Sequence, residues 1–143
     1  MDEVECRKPL RVLIVEDEAV TALLLEKYVM ELGHDVVASV DAAPTAISAA
    51  ALHEPDLILM DIGLAAQTDG VDAAVQVRKL FDTPCIFVTG QPDALKRHRV
   101  TAAKPLGILV KPFTRTELHR ELHRLTAGAE GAERPPRSAP APA

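Results

Sequence analysis

Five polar residues follow directly on short apolar runs of the chain, and their types suit phosphoryl chemistry. Glu16 and Asp17 follow VLIV, Asp61 follows LILM, Thr89 follows CIFV, and Lys111 follows ILV. Clustered carboxylates can hold a divalent cation, while a hydroxyl and an ammonium beside them can bind a tetrahedral anion. A carboxylate can also act as a nucleophile. If folding brings these residues together, Asp61 is the candidate nucleophile.

The apolar runs alternate with amphipathic segments, which predicts buried strands joined by helices. Runs without charges, such as LILM, are typical of strands buried on both faces of a parallel sheet. Gly33 and Pro55 end the first two helices, and Thr114 with Glu117 forms a capping-box pattern for the last one. The predicted strands are 12–15, 34–40, 57–61, 85–89 and 108–110, and the predicted helices are 18–32, 44–54, 70–81, 93–100 and 114–126.

Five alternating strands and helices predict an α/β fold with a doubly wound parallel sheet. The common five-stranded order is 2-1-3-4-5, which places strands one and three side by side. Glu16, Asp17 and Asp61 would then meet at one edge. Two such charges about 4 Å apart repel by roughly 4 kcal/mol at an effective dielectric of 20, so a cation or a raised pKa is expected. Oxygen ligands without His or Cys favour Mg²⁺ or Mn²⁺ over zinc.

The composition bounds the domain organisation and the class of partner. Of the 143 residues, 1–9 are predicted to form a flexible leader, 10–126 one folded domain, and 127–143 a disordered tail rich in Ala, Pro and Gly. The net charge of −5 and the aromatic content of 3% argue against a nucleic-acid partner.

The compartment follows from the cysteines and from hydrophobicity. Cys6 and Cys85 indicate neither a disulfide framework nor a zinc site, which favours a reducing cytoplasm. Cys85 lies in an apolar run and is expected in the core. No apolar stretch has the roughly 20 residues of a membrane span, so no membrane association is expected.

Several segments resemble the receiver domains of response regulators in two-component signalling. They are VLIVEDE, LILMDIGL, the pair Asp69-Gly70, IFVTG and ILVKPF, and the resemblance covers about residues 9–126. It implies a flavodoxin-like (βα)5 fold. It also implies that Asp61 accepts a phosphoryl group from a histidine kinase or a phosphotransfer protein, and that Thr89 and Lys111 contact that group.

The resemblance further implies a metal site and one unusual peptide bond. Asp17, Asp61 and the carbonyl of Gly63 would bind Mg²⁺ directly, and Glu16 would act through a water molecule. The Lys111–Pro112 bond is expected to be cis, which X–Pro bonds allow at low cost.

The chain departs from the family pattern around the phosphoryl site. Ile108 stands where many receivers have a Tyr or Phe, three residues before Lys111, so the aromatic partner of a Thr89-coupled switch is absent. Gly63 offers no side chain to orient an attacking water, although Gln91 could do so. Modest autodephosphorylation is therefore expected.

These features predict a stand-alone response regulator, since the chain ends soon after the last predicted helix. It would signal through the face of helix four, strand five and helix five, to a downstream protein that the sequence does not identify or to a second copy as a homodimer. One alternative is a receiver-like binding module that does not use phosphate. Another is a phosphohydrolase with an Asp nucleophile, which would need a carboxylate where Gly63 stands.

Other charged residues have a structural interpretation beside a functional one. Glu18 is interpreted as a charge favoured by the dipole of the next helix. His119 and His123 have metal-ligand spacing on the last helix, but a solvated helix face is the simpler interpretation. The basic segment 96–99 is either a docking surface or a solvated face.

Overall fold

The computed structural model describes residues 9–62, 70–90 and 103–131, and it describes side chains there except at residues 70 and 126–131. The strands are β1 (Arg11–Val15), β2 (Asp35–Val40), β3 (Leu57–Asp61), β4 (Cys85–Thr89) and β5 (Gly107–Val110). The described helices are α1 (Ala19–Glu31), α2 (Ala43–His53), α3 (Gly70–Phe81) and α4 (Arg115–Gly131). The predicted leader up to residue 8, the predicted helix 93–100 and residues 132–143 lie outside the described residues.

The five strands form one sheet in the order β2-β1-β3-β4-β5, with every neighbouring pair parallel. This confirms the predicted doubly wound α/β fold. Because the strands are parallel, all five end at the same side of the sheet, which we call the carboxyl edge. The opposite side, where the strands begin, is the amino edge.

Two hydrophobic layers lie on the two faces of the sheet, and this explains why the strands are apolar without alternation. Leu57 and Leu59 of β3 belong to the layer with α1 and α4, whereas Ile58 and Met60 belong to the layer with α2 and α3. All four side chains are fully buried. Each such burial contributes about 1.5–3 kcal/mol to folding, so β3 anchors the position of Asp61 in the centre of the sheet.

The helical spacing of Leu23, Leu24, Tyr28 and Leu32 predicts the buried face of α1, and the structure departs from this prediction at Leu23. Leu25 and Val29 are completely buried, while the predicted core residue Leu23 is 64% exposed. Leu24 and Tyr28 are partly buried at the flank of the layer. Three consecutive leucines allow two helical phases, and packing on the sheet selects the phase centred on Leu25.

Helix α4 begins with the predicted capping box. The Thr114 backbone N–H donates to Glu117 Oε1 at 2.9 Å, and the Glu117 N–H donates to Thr114 Oγ1 at 3.1 Å. The helical spacing of Leu118, Leu122 and Leu125 predicts the buried stripe of this helix, and Leu118 and Leu122 are completely buried. The helix ends at Gly131 rather than at the predicted residue 126. Ala and Glu are strong helix formers, and extending a helix is easier than nucleating one, so the first turn of the predicted tail is helical.

No helix in the described ranges has both the length and the hydrophobicity that crossing a bilayer requires.

Candidate functional site

Three carboxylates converge at the carboxyl edge, between β1 and β3. Glu16 follows β1, and its backbone N–H continues the strand ladder by donating to the carbonyl of Val40 at 2.9 Å. Asp61 is the last residue of the adjacent strand β3. Carboxylate oxygens of Glu16, Asp17 and Asp61 all lie within 4.8 Å of one another. Glu16 and Asp61 are buried, whereas Asp17 is exposed.

Lys111 reaches the same point from β5. Its backbone N–H donates to the carbonyl of Thr89 at 2.8 Å, which fixes the main chain just beyond the strand. Its ammonium Nζ lies 3.2 Å from Glu16 Oε1 and 3.7 Å from Asp61 Oδ2. The Lys111–Pro112 bond is cis, which confirms the expectation for it.

Thr89 is the last residue of β4, the strand between those that carry Asp61 and Lys111. It is 3% exposed. A hydroxyl in this position lies at the same rim as the carboxylates and the ammonium. The structure therefore places Glu16, Asp17, Asp61, Thr89 and Lys111 together at one edge of the sheet. Gly63, the remaining predicted metal ligand, lies outside the described residues, as does Gln91.

The buried carboxylate of Glu16 is the most perturbed acid of the site. Burial, followed by the nearby carboxylate of Asp61, raises its pKa from 4.5 to about 7, although the hydrogen bond from the Glu18 N–H and the charge of Lys111 oppose the rise. Within the described part of the chain, Glu16 Oε1 accepts no hydrogen bond. Lys111 Nζ forms an ion pair with Oε1 at 3.2 Å and donates a hydrogen bond to the other oxygen of Glu16, Oε2, at 3.4 Å.

The carboxylates fit a hard divalent cation. They present only oxygen ligands, two of the three side chains are buried, and one buried oxygen lacks a hydrogen bond. A cation would relieve the repulsion between Glu16 and Asp61 and satisfy that oxygen. Among residues 9–62, 70–90 and 103–131, this is the only group of three or more potential ligands at such spacing. His119 and His123 lie with their rings 6.1 Å apart and have no third ligand there.

Glu18 contacts the site residues, which its position in the sequence did not indicate. Glu18 Oε1 lies 4.0 Å from Lys111 Nζ, and the Glu18 N–H donates to Glu16 Oε2 at 3.1 Å. The available signal was weak: Glu is an unusual residue at the N-cap of a helix, and Glu18 occupies that position in α1.

Residues 12–123 match the family model of the response regulator receiver domain. The chain belongs to this family. Receiver domains act in two-component signalling and are signalling domains rather than classical enzymes, so the carboxyl-edge cluster lies in a domain built to transmit a signal.

Two curated relatives are each 36% identical to this chain over the aligned residues. The transcriptional regulatory protein PdtaR of Mycobacterium tuberculosis is 36% identical over 112 residues, which are 77% of this chain and 53% of the relative. The phyllosphere-induced regulator PhyR of Methylorubrum extorquens is 36% identical over 103 residues, 71% of this chain and 38% of the relative. The chain thus spans about half the length of PdtaR and less of PhyR.

Solved structures of receiver domains share the fold. The signal receiver domain of a modulated diguanylate cyclase from Desulfovibrio desulfuricans G20 has a TM-score of 0.79 at 32% identity, over 86% of this chain and 98% of that one. The receiver domain of Erythrobacter litoralis PhyR has a TM-score of 0.74 at 30% identity, over 90% and 95% of the two chains. Both similarities extend over nearly the whole of each receiver domain.

Proposed function

We propose that this receiver domain accepts a phosphoryl group on Asp61 from a histidine kinase or a phosphotransfer protein, and that the reaction requires Mg²⁺ or Mn²⁺. The observation that carries the proposal is the environment of Asp61. Its carboxylate is buried at the end of the central strand, beside two further carboxylates and 3.7 Å from the ammonium of Lys111.

In the proposed transfer, an Asp61 carboxylate oxygen attacks phosphorus and forms a new P–O bond. The P–N bond to the histidine of the donor breaks, and its electron pair returns to the imidazole. Lys111 offsets the charge of the phosphoryl oxygens, and Thr89 donates a hydrogen bond to one of them. Asp17, Asp61, the Gly63 carbonyl and, through water, Glu16 would hold the cation, which supplies neutralisation of the carboxylate and phosphoryl charges.

The phosphorylated state differs from the resting state by up to two negative charges buried at the edge. Movement of Lys111 and Thr89 toward those charges shifts the population of conformations on one face of the domain. This face is formed by the predicted helix 93–100, β5 and α4. In β5, Ile108 is 41% exposed and Val110 is 43% exposed. This face is the proposed contact for a downstream protein or a second copy, and the domain is proposed to act in the cytoplasm.

Intact mass after incubation with Mg²⁺ and acetyl phosphate tests the proposal. We expect the wild type to gain one persistent phosphoryl group, and we expect no gain with EDTA or in Asp61→Asn. Asp35→Asn is the matched control, because it removes one carboxylate charge at the amino edge. No gain in the wild type would indicate a phosphate-independent binding module. Steady release of phosphate without a lasting adduct would indicate a phosphohydrolase.

The lifetime of the adduct tests the expectation of modest autodephosphorylation. After removal of acetyl phosphate, loss of the added mass is followed with time. A slow loss supports the proposal, because Gly63 provides no side chain to orient the attacking water. A half-life of only seconds would contradict it.

A further inference from the structure

The side chain of Glu18 is held at the rim by a contact that helix capping does not explain. Glu18 is the N-cap residue of α1, yet its side chain makes no capping hydrogen bond. Instead Oε1 accepts a hydrogen bond from Thr21 Oγ1 at 2.8 Å. The same oxygen lies 4.0 Å from Lys111 Nζ. Thr21 thus fixes the carboxylate on the side of the helix that borders the Asp61 site.

Lys111 is shared among three carboxylates that differ in burial. Its Nζ lies 3.2 Å from Glu16 Oε1, 3.7 Å from Asp61 Oδ2 and 4.0 Å from Glu18 Oε1. The side chain of Asp61 is 6% exposed, whereas that of Glu18 is 65% exposed. Attraction to Glu18 therefore draws the ammonium toward solvent, in competition with its attraction to Asp61.

We propose that Glu18 is a positioning residue, fixed by Thr21, that restrains Lys111 and thereby limits the rate at which Asp61 takes up a phosphoryl group. The proposal rests on the proposed function of Asp61. It replaces the interpretation of Glu18 as a charge that merely favours the helix dipole.

The restraint acts on the step in which charge moves to the phosphoryl oxygens. With acetyl phosphate, an Asp61 oxygen forms a bond to phosphorus while the bond from phosphorus to the acetate oxygen breaks, and acetate leaves with the electron pair. Lys111 must then turn from the carboxylates toward the phosphoryl oxygens, and its attraction to Glu18 opposes that movement. Because exposed ion pairs are weak, we expect removal of the Glu18 charge to raise the rate by about two- to fivefold.

The test is the initial rate of adduct formation with acetyl phosphate and Mg²⁺, followed by intact mass. Glu18→Gln is compared with the wild type, and the pair is repeated in a Lys111→Met background. We expect the two- to fivefold gain of Glu18→Gln to disappear when Lys111 is replaced, which is the coupling that a double-mutant cycle detects. Asp35→Asn, a loss of charge at the amino edge, should leave the rate unchanged.

Thr21→Val provides a second test that keeps the charge of Glu18. It removes the hydroxyl that fixes the carboxylate, so we expect a smaller rate gain in the same direction. This variant decides the question if Lys111→Met reacts too slowly to measure. Urea unfolding of each variant separates a rate effect from the small loss of stability that a helix-dipole role alone would cause.

The outcomes separate this proposal from the one on which it rests. An equal gain in both Lys111 backgrounds would show that Glu18 repels the anionic donor directly, and would overturn the restraint. An unchanged or slower Glu18→Gln would also overturn it, although a phosphorylated wild type would leave the role of Asp61 standing. A wild type that takes up no phosphoryl group would overturn both.

Discussion

The two edges of the sheet differ in how completely their polar groups are hydrogen-bonded. At the amino edge, the Arg11 N–H donates to Asp56 Oδ2 at 2.9 Å, and the Asp56 N–H donates to the Arg11 carbonyl at 2.7 Å. The Leu10 N–H donates to His34 Nδ1, also at 2.9 Å. At the carboxyl edge, Glu16 is buried beside another acid and one of its oxygens accepts no hydrogen bond within the described chain.

The amino edge also contains a buried polar atom without a hydrogen bond, but the residue that carries it has a structural role. Arg78 Nε is buried without a hydrogen bond in the described residues. The Nη atoms of Arg78 nevertheless bond to Asp82 at the end of α3 and to the carbonyl of Lys104 before β5. Arg78 thus links two segments that lead into strands. At the carboxyl edge, the Glu16 oxygen without a hydrogen bond lies among the carboxylates that are proposed to bind a cation and a phosphoryl group.

The largest expected effect is on phosphorylation, at the carboxyl edge. Lys111→Met removes the ammonium that lies 3.7 Å from Asp61, and we expect the initial rate of adduct formation to fall by about 100-fold, the usual effect of losing one group that stabilises developing charge. Arg78→Met at the amino edge is the matched loss of a cation. If the rate of adduct formation fell by a similar factor in folded Arg78→Met, the functional difference between the two edges would be contradicted.

Next in size is the effect of Glu16 on stability. Its pKa is raised to about 7 in the folded protein from 4.5. The folded state therefore binds this proton more tightly than the unfolded chain does, and stability is lost as the pH rises from 4.5 through 7. Without divalent cations, Glu16→Gln should raise the free energy of unfolding on the order of 2 kcal/mol at pH 8.

Urea unfolding at pH 4 and pH 8 measures this difference. The gain of Glu16→Gln should shrink at pH 4, where the wild-type carboxyl is protonated. Added Mg²⁺ should stabilise the wild type at pH 8 more than it stabilises Glu16→Gln. A variant that is less stable than the wild type at pH 8 without Mg²⁺ would mean that the buried charge is already compensated by the protein.

At the amino edge, removal of an acidic side chain should lower stability and leave phosphorylation unchanged. Asp56→Ala leaves the Arg11 N–H without its acceptor at 2.9 Å, and we expect a loss of about 1–2 kcal/mol in the free energy of unfolding. The rate of adduct formation in the folded variant should equal that of the wild type. A stability unchanged by Asp56→Ala would show that solvent replaces this bond.

The smallest expected effect is the pH dependence set by His34. Burial lowers its pKa from 6.5, and its Nδ1 must stay unprotonated to accept the Leu10 N–H. The unfolded chain therefore takes up this proton more readily, and stability is lost as the pH falls through 6.5 toward the folded pKa.

His34→Asn keeps an acceptor near Nδ1 and removes the titration. The slope of unfolding free energy against pH below 6.5 should be shallower in this variant than in the wild type. Equal slopes would assign the acid sensitivity of that range to groups other than His34.

The strands, their order and the meeting of the site residues could be predicted from the sequence for a physical reason. A parallel sheet places every strand end at one edge, so side chains after apolar runs must meet there whatever their separation in the chain. The buried face of α1 could not be predicted from the sequence, because three consecutive leucines fit two helical phases. The role of Glu18 could not either, because it depends on the Thr21 hydroxyl and on Lys111, and neither contact follows from residue spacing.

Identification of the modified residue tests the central claim most directly. After incubation with Mg²⁺ and acetyl phosphate, borohydride reduces an aspartyl phosphate to homoserine, and peptide sequencing by mass spectrometry locates that homoserine. We predict homoserine in place of Asp61 and Asp unchanged at position 17. An unmodified Asp61, or homoserine at another position, would contradict the account.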